Sequence, residues 1–260
     1  MTEELSAKAR KTRLMLLFAT ALIAAVGTFS MAPVPQDPAY HDFADKRAFL
    51  GIPNFGDVMG NVAFAVVGLF GLVAVWKRWF FEKTAEFWLW AIFFAGVFLV
   101  AFGSGYYHLW PDSHTLVWDR LPMTIAFMSL FSIVIMERVD EKWGIRLFPL
   151  FLAAGIFSVF YWDYTESLGR GDLRPYALVQ FFPIIAILMM IALFPAKHPG
   201  ATKYLFYTLG WYVIAKLLEH FDKNIFDLLG GAVSGHTLKH LAAAVGVAYM
   251  ICYVKAGKEN

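Results

Sequence analysis

The sequence predicts an all-α membrane protein, a polytopic bundle of transmembrane helices. Hydrophobic residues fill 59% of the 260 positions and aromatic residues 18%, more apolar surface than a soluble domain of this length can bury. Apolar stretches of roughly 20 residues, the length that a helix needs to cross a bilayer, recur along the whole chain. Only short breaks separate these stretches, so we expect a single bundle.

Eight stretches are predicted to be transmembrane spans. They lie at about 14–32, 56–76, 86–107, 119–137, 146–162, 175–195, 203–220 and 234–254. A basic segment precedes the first span, which is typical either of a secretory signal or of an anchor helix. Its apolar stretch is longer than that of a usual signal, which favours a retained anchor. We therefore predict a cytoplasmic tail with one extra helix in residues 1–40, followed by a seven-helix membrane domain in residues 41–260.

The breaks between the spans consist of residues that end helices or that avoid the bilayer interior. In chain order they are Pro33-Val34-Pro35, Lys77-Arg78, Pro111-Asp112, Asp140-Glu141-Lys142, Gly169-Arg170-Gly171-Asp172, Lys197-His198-Pro199 and Gly230-Gly231. The break before the sixth span also holds Arg174, for which the sequence leaves two roles open. It could contact a lipid head group, or it could form an ion pair with Asp172 or Asp163.

The direction of insertion follows from lysine and arginine, which are enriched in cytoplasmic loops. One side of the predicted bundle collects most of the loop cations. They are Lys8, Arg10, Lys11, Arg13, Lys77, Arg78, Lys83, Arg138, Lys142, Arg146, Lys197, Lys203, Lys255 and Lys258. Both termini are therefore predicted to be cytoplasmic.

Five residues are the strongest candidates for function: Ser104, His108, Asp119, His236 and His240. The first two are four residues apart, as are the last two, so each pair projects from one face of its helix. In the predicted topology, His108, Asp119 and the late histidine pair all fall at the non-cytoplasmic end of their spans. Polar groups that converge at one depth of a bilayer tend to face a shared functional cavity.

Three histidines and a carboxylate are typical of a catalytic zinc site. Catalytic zinc takes three protein ligands, predicted here to be His108, His236 and His240, and keeps a fourth position for water. Asp119 is predicted to act as general base and later to return the proton to a leaving amine. Ser104 is predicted to donate a hydrogen bond to the developing oxyanion or to orient the water.

Each of these residues also has an ordinary explanation when it is taken alone. A serine in a helix often bonds to its own backbone, Asp119 could cap the fourth span, and an isolated pair of histidines is a weak metal signal. All of these explanations must hold at once if there is no site. Their joint occurrence at one depth favours the zinc interpretation.

The same residues carry a resemblance to a known family. The segment from Phe102 to His108, Trp118-Asp119-Arg120-Leu121-Pro122-Met123 and the late pair of histidines resemble the alkaline ceramidases. These belong to a superfamily of seven-span membrane hydrolases that includes the adiponectin-type receptors and the Per1-like GPI-remodelling proteins. Ile52 to Asp57, leading to Asn61, resembles the first core span of the family, and the resemblance covers about residues 40–254.

The resemblance implies an activity, a metal and a partner. It implies zinc on His108, His236 and His240, with Ser104 and Asp119 in the hydrolytic machinery. The implied reaction is hydrolysis of the amide of ceramide, a membrane lipid, to a sphingoid base and a fatty acid. A different acyl-amide lipid is the alternative substrate.

Several members of the family also carry a calcium site near the first core helix. The corresponding oxygen ligands here would be Asp42, Asp45, Asn54 and Asp57. Calcium prefers several oxygen ligands, of which some are charged. Asn54 stands where these members have a glutamate, so this chain departs from the pattern.

Other function classes are less consistent with the sequence. The formal charge of +2 comes without a Lys/Arg-rich patch for nucleic acid, and a single cysteine, Cys252, allows neither an internal disulfide nor a cysteine zinc cage. A receptor-like or binding member of the same superfamily is the main alternative. A proton-coupled transporter is the second, although the ionisable residues cluster at one depth and no inverted repeat is evident. Gln180, Pro183, Glu219 and Asp222 are predicted to line a polar cavity.

Overall fold

The structure, a computed structural model, describes residues 6–79 and 84–258 and is a bundle of helices. In chain order the helices are α1 (Ala7–Ser30), α2 (Phe55–Gly60), α3 (Val62–Trp76), α4 (Thr84–Leu109), α5 (Leu116–Arg138), α6 (Glu141–Ser167), α7 (Arg174–Leu193), α8 (Thr202–His220), α9 (Asp222–Leu228) and α10 (Gly235–Lys258). Within the described residues, β-structure is limited to one isolated bridge between Phe49 and Ile52. The predicted all-α class is confirmed.

Seven spans in the described part of the chain are long and apolar enough to cross a membrane. They are α1, the α2–α3 pair, α4, α5, α6, α7 and α10. The stretch predicted as the seventh span forms α8, a helix of 19 residues, but it is not among them. Because α8 is short, every stretch of it that is long enough to cross a membrane contains three charged residues, Lys203, Lys216 and Glu219.

Two helix boundaries differ from the prediction. Helix α1 begins seven residues earlier than the apolar stretch, because the hydroxyl of Ser6 accepts a hydrogen bond from the amide of Ala9 and caps the first turn. The second span is interrupted at Asn61, between α2 and α3. The Asn61 side chain turns back to donate to the carbonyl of Asp57, 2.8 Å away. Lys83, one of the loop cations used for orientation, lies outside the described residues.

Helix α5 is the centre of the bundle. It packs against α4 and α6 and also contacts α7, and two thirds of its apolar span is buried. Helices α8 and α10 form a second packed pair, which α10 joins to α2 and α3. Helix α1 packs on α7 at the edge of the bundle.

Arginines hold α1 against α7 at both ends. At one end Arg174 forms an ion pair with Asp172 at 2.8 Å and donates to the carbonyl of Met31 just beyond α1, at 2.5 Å. At the other end Arg13 donates to the carbonyl of Leu193. Of the two roles that the sequence leaves open for Arg174, the structure has the ion pair.

Small residues bring α4 and α5 close together at the level of the candidate site. A β-carbon on Gly103 would overlap the carbonyl oxygen of Trp118, whereas a β-carbon on Gly105 would have no atom within 4 Å. Gly103 directly precedes Ser104, and Trp118 directly precedes Asp119. The glycine therefore lets the turn that carries the serine approach the turn that carries the aspartate.

Gly103→Ala is expected to destabilise the protein by about 1–3 kcal/mol, because the added methyl group overpacks a backbone contact. The midpoint of thermal unfolding in detergent measures the effect. Gly105→Ala is the matched control in the same helix and is expected to be neutral or to stabilise by up to about 1 kcal/mol. Equal midpoints for the two variants would show that α4 and α5 do not depend on this close approach.

Candidate metal centre

Three histidines from two helices meet inside the bundle. His108 lies at the end of α4, and His236 and His240 lie in the first two turns of α10. Their exposed fractions are 1%, 4% and 2%, and the ring centroids form a nearly equilateral triangle with sides of 4.8, 4.9 and 4.9 Å. Each ring offers one nitrogen to a common point, and these nitrogens lie within 4.8 Å of one another.

Several nitrogens of this triad have no partner in the protein. Nδ1 of His108 and both ring nitrogens of His240 are buried without a hydrogen bond. Nε2 of His108 faces Nε2 of His236 at 3.3 Å. Buried polar atoms are costly when they are unsatisfied, so the unpaired nitrogens of His108 and His240 and the facing Nε2 atoms of His108 and His236 are consistent with a partner that the three rings share.

A metal ion fits the spacing of these nitrogens. An ion with tetrahedral geometry and metal–nitrogen bonds of about 2.1 Å holds its ligand nitrogens about 3.4 Å apart. The Nε2 atoms of His108 and His236 are 3.3 Å apart, close to this value. The triad could therefore bind a metal ion, and imidazole ligands suit zinc, copper, iron or nickel.

Hydrogen bonds to the backbone fix the helix ends that carry the histidines. The Asn54 amide donates to the carbonyl of His108 at 2.7 Å. Asp222 accepts from the amide of His236 at 2.7 Å and from the amide of Ala44 at 2.9 Å. It therefore ties the segment before α2 to the start of α10.

The first turn of α10 is capped and anchored by side chains. The Ser234 hydroxyl accepts from the amide of Thr237 at 2.9 Å, as an N-cap residue does. One carboxylate oxygen of Asp57 accepts from both hydroxyls, at 2.9 Å from Ser234 and 2.7 Å from Thr237. The aspartate on α2 thereby holds the turn from which His236 and His240 project.

An aromatic ring covers the triad. The Phe43 ring lies 4.6 Å from the His108 ring and 4.5 Å from the His236 ring, and it is 6% exposed. It lies next to Ala44, which Asp222 holds in place. The apolar ring keeps water from approaching these two histidines from its side.

A cavity of about 350 Å³ adjoins the histidines and contains both predicted catalytic residues. Ser104, one turn before His108 on α4, and Asp119, in the first turn of α5, line it together with His240. Both are buried, and Asp119 forms no hydrogen bond with another side chain in the described part of the chain. Its carboxylate is therefore available to a molecule in the cavity.

The rest of the cavity is largely apolar. Along α10 the lining continues from His240 to Met250, a distance of about 15 Å at the rise of an α-helix. Gln180 and Glu219 also line the cavity, as predicted, whereas Pro183 and Asp222 lie outside it. One polar end beside the histidines and a long apolar remainder suit an amphiphilic molecule.

A charged network that was not predicted from the sequence lies at the polar end of the cavity. Glu219 on α8 accepts from Lys216 at 2.5 Å and from Lys239 at 3.0 Å. The Lys239 ammonium also lies 3.1 Å from Nε2 of His236. Ionisable residues within apolar helices are a signal of function, and two lysines beside one glutamate could have been found on that basis.

Tyr40, in the loop before α2, borders the same polar end. Desolvation raises its pKa to about 12, with the negative charge of Glu219 as the next cause, while Lys239 and Arg120 act in the opposite direction. Its hydroxyl is therefore protonated at neutral pH and can donate a hydrogen bond into the cavity.

The four residues predicted for calcium are engaged elsewhere. Asp42 accepts from Lys223 at 2.6 Å and from Lys46 at 2.5 Å, and these bonds lower its pKa to about 2. Arg47 forms an ion pair with Asp45 at 2.7 Å, and its hydrogen bonds lower the pKa of that carboxyl.

Asn54 donates to His108, and Asp57 holds the start of α10, as described above. In the described residues, the histidine triad is the one group of three or more histidine, cysteine or acidic side chains close enough to share an ion. The structure therefore does not bring Asp42, Asp45 and Asp57 together as metal ligands, and it does not support the predicted calcium site.

No protein-family model, curated protein or solved structure matches this chain. The functional assignment therefore rests on the chemistry of the site and the motifs that build it.

Metal analysis of detergent-purified protein is expected to find about one transition-metal ion per chain, since three imidazoles make one ligand set. His236→Ala/His240→Ala is expected to lose it, because a single histidine remains. Plasma mass spectrometry measures both the amount and the element. His114→Ala, at a histidine whose side chain is 83% exposed, is the control and should retain the metal. Equal metal content in the double variant and the control would rule out the triad as the binding site.

Proposed function

We propose that this protein is an integral-membrane, zinc-dependent amidase that cleaves ceramide-type lipids to a sphingoid base and a free fatty acid. The observation that carries the proposal is the buried histidine triad at the polar end of an amphiphilic cavity. A lipid amide has the same division, with a polar amide and head group attached to long apolar chains.

His108, His236 and His240 would hold the zinc ion. Zinc takes three histidines in some catalytic sites and keeps one position open, and the open nitrogens of the triad are consistent with that ligand set. When bound, zinc supplies Lewis-acid polarisation of a carbonyl and a water nucleophile at neutral pH.

Asp119 is the proposed general base and acid. Its carboxylate faces the cavity and is not engaged by another side chain in the described residues, so it can take a proton from the attacking water. Amide cleavage also requires that the departing amine be protonated, and the same carboxyl can return that proton. Its position in the first turn of α5, beside the Ser104 turn of α4, places both groups on one wall of the cavity.

Ser104 is the proposed donor to the carbonyl oxygen as negative charge develops on it. The serine is 1% exposed and lines the cavity with His240. A hydroxyl donor in a site with little water is more effective than one in solution. The apolar wall formed by residues such as Phe93, Val97 and Met250 would hold the acyl chain.

The choice of a ceramide-type substrate is supported by the motif resemblance. Ser104-x-x-x-His108, Asp119 with its Leu-Pro-Met continuation, and the late histidine pair are the residues that resemble the alkaline ceramidases. Ser104, Asp119 and His240 line one cavity, and the rings of His108 and His236 lie beside the His240 ring, which supports a hydrolytic role. Hydrolysis of another acyl-amide lipid, or binding without turnover, is the alternative that the experiment distinguishes.

We further propose that both termini are cytoplasmic and that the histidine site lies toward the non-cytoplasmic side. The proposal rests on the excess of lysine and arginine at the end of the bundle opposite the triad. Clusters at the start of α1, after α3 and between α5 and α6 share that end, including Arg10, Lys77 and Lys142.

Asp119→Asn is expected to reduce fatty-acid release from short-chain ceramide roughly 100- to 10,000-fold, the usual effect of removing a general base, while metal content is unchanged. Rates and metal content are measured on the same samples in lipid nanodiscs. Asp163→Asn, on the outer end of α6, is the matched control and should keep wild-type turnover. Full activity in Asp119→Asn would remove the aspartate from the mechanism. Bound metal with no hydrolysis by the wild type would favour a binding protein.

Thiol labelling of intact cells is expected to show the orientation. In a Cys252→Ser background, Arg170→Cys in the α6–α7 loop should react with a membrane-impermeant maleimide, because that loop is predicted to be outside. Lys142→Cys, at the start of α6, should react only after the membrane is permeabilised. The reverse pattern would overturn the proposed orientation without affecting the site.

A further inference from the structure

Glu219 is a partly buried carboxylate held by two lysines at the polar end of the cavity. It lies in the last turn of α8, and its oxygens accept from Lys216 at 2.5 Å and from Lys239 at 3.0 Å. Lys239 lies between His236 and His240 in the sequence of α10, and its ammonium is 3.1 Å from Nε2 of His236. A single side chain therefore separates the carboxylate from the histidine triad.

The pairing of α8 with α10 does not require this charged network. Further along the two helices, the Thr208 hydroxyl donates to the carbonyl of Gly246 at 2.9 Å. A β-carbon on Gly246 would lie 3.1 Å from the β-carbon of Trp211, so the helices already approach closely there. Apolar side chains in place of a buried ion pair are often neutral or stabilising. Charges that are kept within apolar helices are typical of a functional site.

Glu219 keeps both surface and hydrogen-bonding capacity toward the cavity. Its side chain is 17% exposed and lines the cavity, so a bound molecule can reach it. Each oxygen of a carboxylate has lone pairs for about two hydrogen bonds. In the described residues, each Glu219 oxygen accepts from one lysine. The carboxylate can therefore accept a further hydrogen bond from a ligand.

The charges around Glu219 suit a neutral donor. Two lysines, Lys216 and Lys239, line the polar end with two carboxylates, Glu219 and Asp119, so these four charges balance. Arg120 lies apart from them, with its guanidinium carbon 4.2 Å and 4.7 Å from the centres of two aromatic rings. The lysines would repel a second cation and the carboxylates a second anion. A hydroxyl adds no charge and has a hydrogen to donate.

We propose that Glu219 is the specificity-determining residue of a subsite that accepts a hydrogen bond from a hydroxyl on the head group of the lipid amide. The inference rests on the proposed function and narrows its substrate class to N-acyl amino alcohols. Ceramide-type lipids meet this requirement, because hydroxyl-bearing carbons flank the carbon that carries the amide nitrogen. A site built to bond a substrate hydroxyl discriminates strongly against an analogue that lacks it.

The position of Glu219 places this subsite close to the bond that is cleaved. Lys239, which holds Glu219, is three residues after His236, so the two side chains share one face of α10. The apolar part of the cavity runs from this end along α10 to Met250. A lipid with its amide beside the histidines would extend its acyl chain along α10, and its head-group hydroxyls would lie near Glu219.

Binding to protein that lacks the proposed base tests the subsite without turnover. In Asp119→Asn protein in phosphatidylcholine nanodiscs, we would measure Kd as a mole fraction of the nanodisc lipid. The probes are a short-chain ceramide, its analogue with hydrogen in place of both head-group hydroxyls, and its analogue with methyl ethers in place of both. Ceramide is expected to bind about tenfold more tightly than the dideoxy analogue, the gain typical of one hydrogen bond to a charged group. The ether has no hydrogen to donate and should bind as weakly as the dideoxy analogue.

Variants of the network assign the preference to Glu219. Glu219→Gln/Lys216→Gln removes one charge of each sign, and it should reduce the preference for ceramide to about threefold or less, because a neutral acceptor bonds more weakly. Lys216→Gln alone should keep the preference, since Lys239 still holds the carboxylate. Asp227→Asn, at an exposed carboxylate on α9, is the control and should also keep it.

Three results would overturn the subsite. The first is equal affinity for ceramide and the dideoxy analogue in the parent protein, which decides the matter even if the double variant does not fold. The second is an ether that binds as tightly as ceramide, because Glu219 would then not be accepting a hydrogen from the head group. The third is a tenfold preference that persists in Glu219→Gln/Lys216→Gln.

Failure of the subsite can be distinguished from failure of the proposed activity by assaying fatty-acid release from the same lipids with the wild-type protein. Selective binding of ceramide through Glu219 without any release would keep the subsite and reject the amidase. Release from ceramide and from the dideoxy analogue with the same kcat/KM, and with no difference in Kd, would keep the amidase and reject the subsite.

Discussion

The arrangement of this protein depends on the need to satisfy imidazole nitrogens in an interior that excludes water. His108 lies 128 residues before His236 in the chain, yet the rings of His108, His236 and His240 face one another. Packing alone would not favour such an arrangement, because apolar side chains would fill the space at lower cost. A shared ion would give the three rings a common partner and would explain why two helix ends are fixed around one point.

The supporting contacts are mostly polar, and they come from the segments between the helices. Asp57, Asn54 and Asp222 each bind a helix end and make no contact with the centre of the triad itself. Groups of this kind set the position of metal ligands. The loop before α2 also supplies Phe43, so one segment covers the site and helps to position it.

The sequence allowed the helices and the histidine triad to be predicted because both follow from local periodicity. Residues four apart must share a helix face, and the loop charges place the ends of α4 and α10 at one level. The same spacing puts Ser104 one turn before His108, and the loop charges put Asp119 at the same level. The carboxylates assigned to calcium could not be resolved in this way. Some of their partners, such as Lys223 for Asp42 and Ser234 for Asp57, lie about 180 residues away along the chain. No local sequence pattern indicates such pairs. The pairing of Lys239 with Glu219 could not be predicted either, since the sequence does not show which charges meet in the fold.

Helix α8 has an unusual place in the bundle. It packs on α10 and makes few contacts with α7, and a second hollow of about 120 Å³ lies between α7 and α8 and shares Phe127, Gln180 and Tyr212 with the main cavity. The side of the cavity between these two helices is therefore incompletely closed by protein. In a bilayer, acyl chains of neighbouring lipids would complete it, so that the surrounding membrane would form part of the enclosure. A change of lipid composition or of bilayer thickness would then alter the volume of the cavity without any change in the protein sequence.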